Sequence, residues 1–272
     1  MPPIEPHKNH HSASEKKTIL VTGANGQLGM TFRKHEAEYS ELNFVFMGTE
    51  ALDITHPLTV RKVFMEIRPD YCINCAAYTN VEKAEEEPEK AFLINAEAVL
   101  ELAAICKEHQ TILIQISTDY VFDGRKTTPY TVNDAPNPIN VYGLSKLQGE
   151  RNIKKSLERY FIIRTSWLYS REFGKNFYKT IVALAKEKKE LAITGAQKGC
   201  PTDAANLARF ILDLITNQDD SYGTHHFSDK LVMTWYDFAK LILDENNIHN
   251  TRLIKNNNYK TKAKRPSYSV LK

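Results

Sequence analysis

Tyr142 and Lys146 stand four residues apart in Tyr142-Gly143-Leu144-Ser145-Lys146, and Ser117-Thr118-Asp119-Tyr120 lies upstream after the apolar run Ile112–Ile116. On a helix, a spacing of four puts the phenol and the ammonium on one face. A hydroxyl at the end of a neighbouring strand can meet them there. Hydride delivered to a ketone leaves an alkoxide that needs a proton, and a phenol whose pKa falls from ~10 towards neutrality is a good donor. The ammonium of Lys146 is expected to lower that pKa by stabilising phenolate. Thr118 would polarise the carbonyl oxygen, with Ser117 as the second candidate. Strand alternation sends their side chains to opposite sides, so only one faces the substrate.

Carbonyl reduction needs a hydride source. Gly23, Gly26 and Gly29 follow the β-rich run Lys17–Thr22 and open a helical stretch reaching about Tyr39. Glycines there permit a tight turn, close approach of backbone to a pyrophosphate and close helix–strand packing. The following helix offers unpaired N–H groups and its positive dipole end to the phosphates. The spacing is G-x-x-G-x-x-G, and no Gly-Lys-Ser/Thr closes it, which excludes a P-loop. The second strand ends at Gly48-Thr49-Glu50, with no Arg for a 2′-phosphate and no Asp at its tip for a free ribose. Glu50 is a candidate ribose acceptor or a solvent-facing residue. NADPH and NADH both stay open.

These groups must be held by alternating elements. Strands are expected at Asn43–Met47, Asp70–Cys75, 111–116 and Tyr160–Arg164, with helices through Val60–Ile67, through Ala91–Ala103, and from Tyr142 towards Leu157. That rhythm indicates a Rossmann-type doubly wound parallel sheet of the α/β class with right-handed crossovers. Beyond Trp167 the rhythm changes. A helix at about 175–188, a strand Leu191–Thr194, a break at Gly199-Cys200-Pro201-Thr202, a helix Asn206–Ile215 and a strand Thr224–Phe227 follow. Thr234-Trp235-Tyr236-Asp237 reads as a capping box opening a helix over Phe238–Glu245. The expected organisation is a disordered tail over 1–17 and a nucleotide-binding domain over 18–170, to which 201–228 returns. A smaller interleaved lobe for substrate spans 171–200 and 229–272.

At 272 residues, 42% hydrophobic and 25% charged, the composition is that of a soluble globule. No apolar run reaches membrane-spanning length, and the polar start lacks a signal-peptide core. His10-His11 belongs to the expected tail. The net charge of +3 conceals a strip at 252–272 with seven basic groups and no acidic ones. It is read as solvated surface, with an anionic ligand as the alternative. No basic-aromatic motif supports nucleic-acid binding. Cys72 and Cys75 form a C-x-x-C inside a strand, on opposite faces, and no second pair completes a zinc site. Buried reduced thiols and a cytoplasmic location are expected.

Several longer words carry a resemblance. Thr22–Gly29, Asp53-Ile54-Thr55, Asn74–Glu85 and Ile94-Asn95-Ala96 look like extended short-chain dehydrogenase/reductases. Ser117–Gly124, Asn140-Val141-Tyr142-Gly143, Arg164-Thr165-Ser166-Trp167 and Thr234–Phe238 resemble, more narrowly, the dTDP-4-dehydrorhamnose reductase family, over about residues 18–271. That family reduces the 4-keto group of dTDP-4-dehydro-β-L-rhamnose with NAD(P)H, the last step of dTDP-L-rhamnose synthesis. The resemblance implies Thr118, Tyr142 and Lys146 as the active trio. It implies Gly23, Asn25, Gly26, Gln27, Leu28, Asp53, Ile54, Ala76, Ala77, Tyr78 and Asn95 around the cofactor, together with Tyr142 and Lys146. Thr79, Val81, Ser117, Asp119, Tyr120, Trp167 and Asn176 would line the dTDP-sugar side. As bare residues, Tyr120 and Trp167 suit core packing as well as ligand contact.

Three departures stand out. Gly195–Thr202 resembles an Asp-Gln-x-Gly-x-Pro-Thr run without the acidic residue before Gln197. The sequence stops just after Arg265–Leu271, where family members usually continue with a helical segment whose loss is expected to expose apolar surface. Some members bind Mg²⁺ through glutamates at a dimer contact, so Mg²⁺ and a homodimer are carried as family features, but no ligand set is legible here. Two rival readings remain. One is a non-catalytic nucleotide-binding subunit resembling the methionine adenosyltransferase beta subunit. The other is a different nucleotide-sugar reductase or epimerase on the same scaffold.

Overall fold

The computed structural model describes residues 16–258 and 260–272. Its first half alternates β1 (Lys17–Thr22), α1 (Gln27–His35), β2 (Leu42–Met47), α2 (Pro57–Ile67) and β3 (Tyr71–Asn74). Short helices α3 (Val81–Ala84) and α4 (Pro88–Phe92) lead into α5 (Ala98–Glu108), β4 (Ile112–Thr118), α6 (Val141–Ser156) and β5 (Tyr160–Thr165). The second half holds β6 (Leu168–Tyr169), α7 (Phe177–Glu187), β7 (Glu190–Ile193), β8 (Lys198–Gly199) and β9 (Thr202–Asp203). It closes with α8 (Ala204–Thr216), β10 (Gly223–His226), β11 (Met233–Thr234), α9 (Trp235–Glu245) and β12 (Arg252–Lys255).

Six strands make one parallel sheet in the order β10-β5-β4-β3-β1-β2. The fold is the α/β, doubly wound class that the alternation indicated. Strand residues are apolar on both faces because helices cover both. Ile19, Val21, Ile73, Ile114, Phe161 and Ile163 pack with α1 and α8, while Leu20, Cys72, Leu113 and Ile162 pack with α2, α5 and α6. Cys72 and Cys75 do part to opposite faces, and all four cysteines are free. The chain leaves β1 for β2 on one side and reaches β3 on the other. The switch point between β1 and β3 opens a crevice at the strands' carboxyl ends.

The second core joins Tyr169, Tyr178, Ile181, Leu191, Phe238 and Ile242, on α7, α9 and the strands β7 and β12. The capping box is present, with Thr234 Oγ1 accepting from Asp237 N and the Asp237 carboxylate accepting from Thr234 N, and the helix starts at Trp235. Between these pieces α8 packs on the sheet and β10 pairs with β5.

Several boundaries differ from the sequence expectations. Of the expected tail over 1–17, residues 1–15 lie outside the described residues, and Lys17 already pairs with Leu42 in the sheet. β4 runs two residues past Ile116 because Ser117 and Thr118 pair with Arg164 and Thr165. The expected long helix through Ala91–Ala103 contains a π-turn at Leu93–Glu97. The basic strip is partly built into the fold. β12 pairs with β7, Arg265 meets Glu82, Lys262 meets Glu86, and Val270 and Leu271 are buried.

Candidate active site

Two adjoining cavities occupy the crevice. The first, of about 470 Å³, is lined by Gly23, Asn25, Gly26, Thr49, Leu52, Asp53, Ile54, Thr55, Cys75, Ala76, Ala77, Lys90, Leu93 and Ile94. The second, of about 640 Å³, shares Gly26, Cys75 and Ala77 with it and runs past Thr118, Tyr142 and Lys146 to Trp167, Asn176, Trp235 and Arg265.

The glycine turn shapes the first cavity. Gly23 adopts φ +58°, and a Cβ there would stand 2.6 Å from Ala76 N, so only glycine lets the two loops meet. The amino end of α1 has no side-chain cap, which leaves its first N–H groups for a ligand, and Gly26 at that end lines the cavity. This cradle fits a dinucleotide phosphate. Asp53 accepts from Thr55 N at 2.9 Å and from Thr55 Oγ1 at 2.8 Å. The backbone bond leads in holding its carboxyl below the usual range. Glu50 is exposed and outside the lining, whereas Thr49 and Lys90, which sequence reasoning did not single out, are part of it.

Tyr78 and Asn95 line neither of the two cavities. Asn95, in the π-turn, accepts from Tyr78 N at 2.9 Å and donates to Tyr78 O and Ser145 Oγ at 3.0 Å each. It ties the Ala76–Tyr78 loop to α6. Gln27 works similarly, donating to Leu168 O at 3.1 Å and accepting from Asn176 Nδ2 at 2.7 Å. Asn176 also caps α7 through Lys179 N, so its side chain joins the glycine turn to the lobe.

The trio sits at the floor of the second cavity. Asn140 caps α6 by accepting from Gly143 N at 2.7 Å, and a Cβ on Gly143 would stand 2.2 Å from Tyr120 O. Glycine after Tyr142 therefore lets the helix start press on the loop following β4. Thr118 Oγ1 accepts from Tyr120 N and donates to Asp119 Oδ1, both at 3.1 Å. Burial pushes Tyr142 up to about 12, with a Thr118 hydrogen bond pulling it down and the Asp119 charge pushing it up. The expected lowering of this phenol by Lys146 does not occur, because Lys146 Nζ donates to Ile116 O at 2.6 Å and burial dominates. Lys146 itself is lowered to about 8 by burial, against the charges of Glu150 and Cys75.

The choice between hydroxyls is decided by partners. Ser117 also lines this cavity, but its hydroxyl is engaged, Oγ donating to Glu150 Oε1 at 2.5 Å. Glu150 receives Arg164 as well, Nε at 2.9 Å and Nη2 at 2.7 Å. Asp119 is buried, and burial pushes it up to about 7 against hydrogen bonds from Ser269 and Thr118. Tyr120 crosses Tyr142 edge to face at 6.0 Å, and Trp167 stacks flat on Trp235 at 3.6 Å. Thr79 and Val81 also line this cavity. Trp235 was legible only as part of a helix start. Its Nε1 donates to Gln197 at 2.9 Å, which gives the atypical 195–202 run a contact. Among the described residues no three His, Cys, Asp or Glu side chains gather as metal ligands.

Comparison with known proteins agrees with this geometry. The family model described as RmlD substrate binding domain matches residues 17–272. The chain is 36% identical over 264 residues to a dTDP-4-dehydrorhamnose reductase of Aggregatibacter actinomycetemcomitans, covering 93% of this chain and 90% of that one. It is 37% identical to the same-named protein of Escherichia coli K12, covering 93% and 88%. The crystal structure of dTDP-4-dehydrorhamnose reductase from Bacillus anthracis in complex with NADP superposes with a TM-score of 0.90 at 39% identity, over 94% and 90% of the chains. UDP-glucose 4-epimerase of Thermus thermophilus, at 16% identity and a TM-score of 0.76, shares the fold.

Proposed function

Because this chain belongs to the dTDP-4-dehydrorhamnose reductase family, that of the RmlD substrate binding domain, we propose that it reduces the 4-keto group of dTDP-4-dehydro-β-L-rhamnose to dTDP-L-rhamnose with NADPH or NADH. It is an NAD(P)H-dependent oxidoreductase. The observation that carries the reading is the convergence of Thr118, Tyr142 and Lys146 on a cleft continuous with the glycine-turn cavity.

The nicotinamide, when bound, supplies the hydride. Gly23, Asn25, Gly26, Asp53, Ile54, Ala76 and Ala77 would hold the dinucleotide, and Gln27 and Leu28 carry the cleft onward. Thr118 orients the ketone oxygen through its hydroxyl. Burial keeps the Tyr142 phenol protonated at neutral pH, the state a proton donor must start from. Lys146 uses one of its three donors on Ile116 O and keeps others for a ribose hydroxyl and for the phenolate that forms at Tyr142. In the relaxed protein it does not lower the phenol. Its positive charge acts as negative charge develops.

We assign the sugar-nucleotide side to the lobe of 171–200 and 229–272, whose Lys175, Asn176, Phe177, Trp235 and Arg265 line the cleft opposite Tyr142. Thr79, Val81, Asp119, Tyr120 and Trp167 complete that side. No helix among the described residues is long and apolar enough to cross a membrane, and four free cysteines suit the cytoplasm.

The test is direct. Purified protein should oxidise NADPH or NADH when dTDP-4-dehydrorhamnose is supplied and not without it. Nucleotide binding with no substrate-dependent oxidation would replace this reading with a non-catalytic binding protein.

A further inference from the structure

Gln27 opens α1 immediately after Gly26, and its two ends serve different parts of the molecule. Its backbone N–H belongs to the uncapped first turn, which is left for a cofactor phosphate. Its side chain reaches into the loop 168–176. There Nε2 donates to Leu168 O at 3.1 Å and Oε1 accepts from Asn176 Nδ2 at 2.7 Å. Both polar atoms of the amide are thus spent on one loop. That loop is drawn tight around it, because Asn176 Nδ2 also donates to Ser170 O at 2.8 Å and to Phe173 O at 3.2 Å, while Oδ1 caps α7. Gly174, at φ +69°, lies so close that a Cβ there would stand 2.8 Å from Gln27 Cβ.

The two ends of the loop are walls of the cleft. Trp167 and Leu168 at one end, and Asn176 and Phe177 at the other, line the second cavity, and Gly26 lines both cavities. Trp167 holds φ +47°, a left-handed backbone that a non-glycine residue keeps only where its surroundings impose it. Leu168, the next residue, carries the carbonyl that Gln27 grips. At the other end Asn176 starts α7, which packs in the core of the smaller lobe.

We propose that Gln27 and Asn176 are positioning residues that couple the two halves of the site. Cofactor phosphate fixed at the start of α1 holds Gln27, and Gln27 holds the loop that places Trp167 and Phe177 for the sugar nucleotide. This rests on the reductase reading above. Neither amide has to touch the reacting atoms. Linkage makes the effect reciprocal, so the sugar nucleotide tightens NADPH by the same factor by which NADPH tightens the sugar nucleotide. Cutting the clasp removes that factor and leaves each cavity its own contacts.

Calorimetric titration of dTDP-L-rhamnose into free protein and into protein saturated with NADPH reads the factor directly. Both ligands are already reduced, so no hydride moves. The wild type should bind dTDP-L-rhamnose about five-fold more tightly, or better, with NADPH present. Gln27→Ala keeps the backbone N–H and removes both side-chain bonds. Asn176→Asp keeps the cap on α7 and removes the donor to Gln27. In each the factor should fall to within about two-fold of unity, and because they cut the clasp from opposite sides either variant decides the matter. At saturating NADPH the KM for dTDP-4-dehydrorhamnose should rise about five-fold with kcat changing less. Lys34→Ala, which cuts the exposed ion pair from α1 to Glu172 of the same loop, should keep the wild-type factor. No factor in the wild type, an undiminished factor in Gln27→Ala or Asn176→Asp, or an equal loss in Lys34→Ala overturns the clasp. Wild-type protein that binds neither NADPH nor dTDP-L-rhamnose would overturn the functional reading itself. A wild type that binds both and turns over the ketone without coupling brings down the clasp alone.

Discussion

Ser117 donates its hydroxyl to Glu150 at 2.5 Å, and Glu150 lies one helical turn beyond Lys146 on α6. The preceding residue of the same strand, Ile116, accepts from Lys146 itself at 2.6 Å. Two consecutive residues of β4 are thus fastened to two successive turns of α6, immediately before Thr118. The distance between the hydroxyl-bearing strand and the Tyr142 helix is set by this pair of bonds. Arg164, at 2% side-chain exposure, closes the network from β5 by pairing with Glu150 at 1%.

That arrangement separates two hydroxyls that sit side by side in the chain. Thr118→Val should lower kcat for dTDP-4-dehydrorhamnose by roughly 10²-fold or more, with the thermal midpoint little changed. Ser117→Ala should do the reverse, costing about 1.5–3 kcal/mol of stability through the loss of a buried hydrogen bond to a carboxylate, which keeps Arg164, and leaving more of the turnover. Urea unfolding and steady-state rates on the same preparations decide it. A Ser117→Ala protein with wild-type stability would sink the clamp.

Tyr142→Phe removes the proton donor and nothing that packs. Turnover should fall by about 10²–10⁴, while cofactor titration and circular dichroism stay as in the wild type. Retained turnover would transfer the donor's role to another group.

Lys146 is lowered to about 8 by burial, opposed by Glu150 and by Cys75. Its ammonium is therefore lost as pH rises through about 8, and kcat should decline along an alkaline limb centred there. Glu150→Gln removes the charge that raises Lys146, so the limb should move to lower pH. The same change leaves Arg164 unpaired in the interior, with a loss of about 3–5 kcal/mol, so the profile must be read on folded protein below its melting temperature. A limb that stays in place would show that Glu150 has no electrostatic hold on Lys146.

His226 ends the network, facing Arg164 through Nε2 at 3.5 Å and the carbonyls of Tyr130 and Lys272 through Nδ1 at 3.1 Å. Arg164 can only donate, so Nε2 is the acceptor and Nδ1 carries the proton. Burial, then the Arg164 charge, lowers His226 to about 4. A folded pKa below the unfolded value of ~6.5 gives stability that is full above 6.5 and lost as pH falls towards 4, at about 1.4 kcal/mol per unit. Unfolding free energies at pH 7.5 and 4.5 should differ less in His226→Gln than in the wild type. An unchanged difference would place the acid sensitivity elsewhere.

Gly23→Ala tests the cradle. The new Cβ meets Ala76 N at 2.6 Å with φ at +58°, a left-handed conformation that costs an L-residue about 1–2 kcal/mol before any clash. NADPH affinity should drop at least ten-fold in a nucleotide titration, and wild-type affinity would show that the loops can part freely.

What the sequence determined by itself is local. The glycine turn after the first strand, the phenol and ammonium on one helix face, the capping box at Thr234 and the alternation of strands and helices all follow from spacings within a single element. Alternation at Ser117 and Thr118 said that only one hydroxyl faces the cleft. It could not name which, because Glu150 and Arg164, which claim Ser117, come from other elements. The fall expected in the Tyr142 pKa failed for a related reason. A spacing of four places Lys146 near the phenol, but depth of burial and the carbonyl of Ile116 depend on how β4 packs against α6. Thr165, Trp235 and Arg265 carried no spacing signal, since each reaches the cleft from a different region and only the folded chain brings them together. Tyr78 and Asn95, expected beside the cofactor, also latch a loop to α6, a bond that no spacing in the sequence signals. The polarity of a side chain is written in the sequence, but its partner is chosen by the tertiary structure, and the partner decides whether a polar group is left for the substrate.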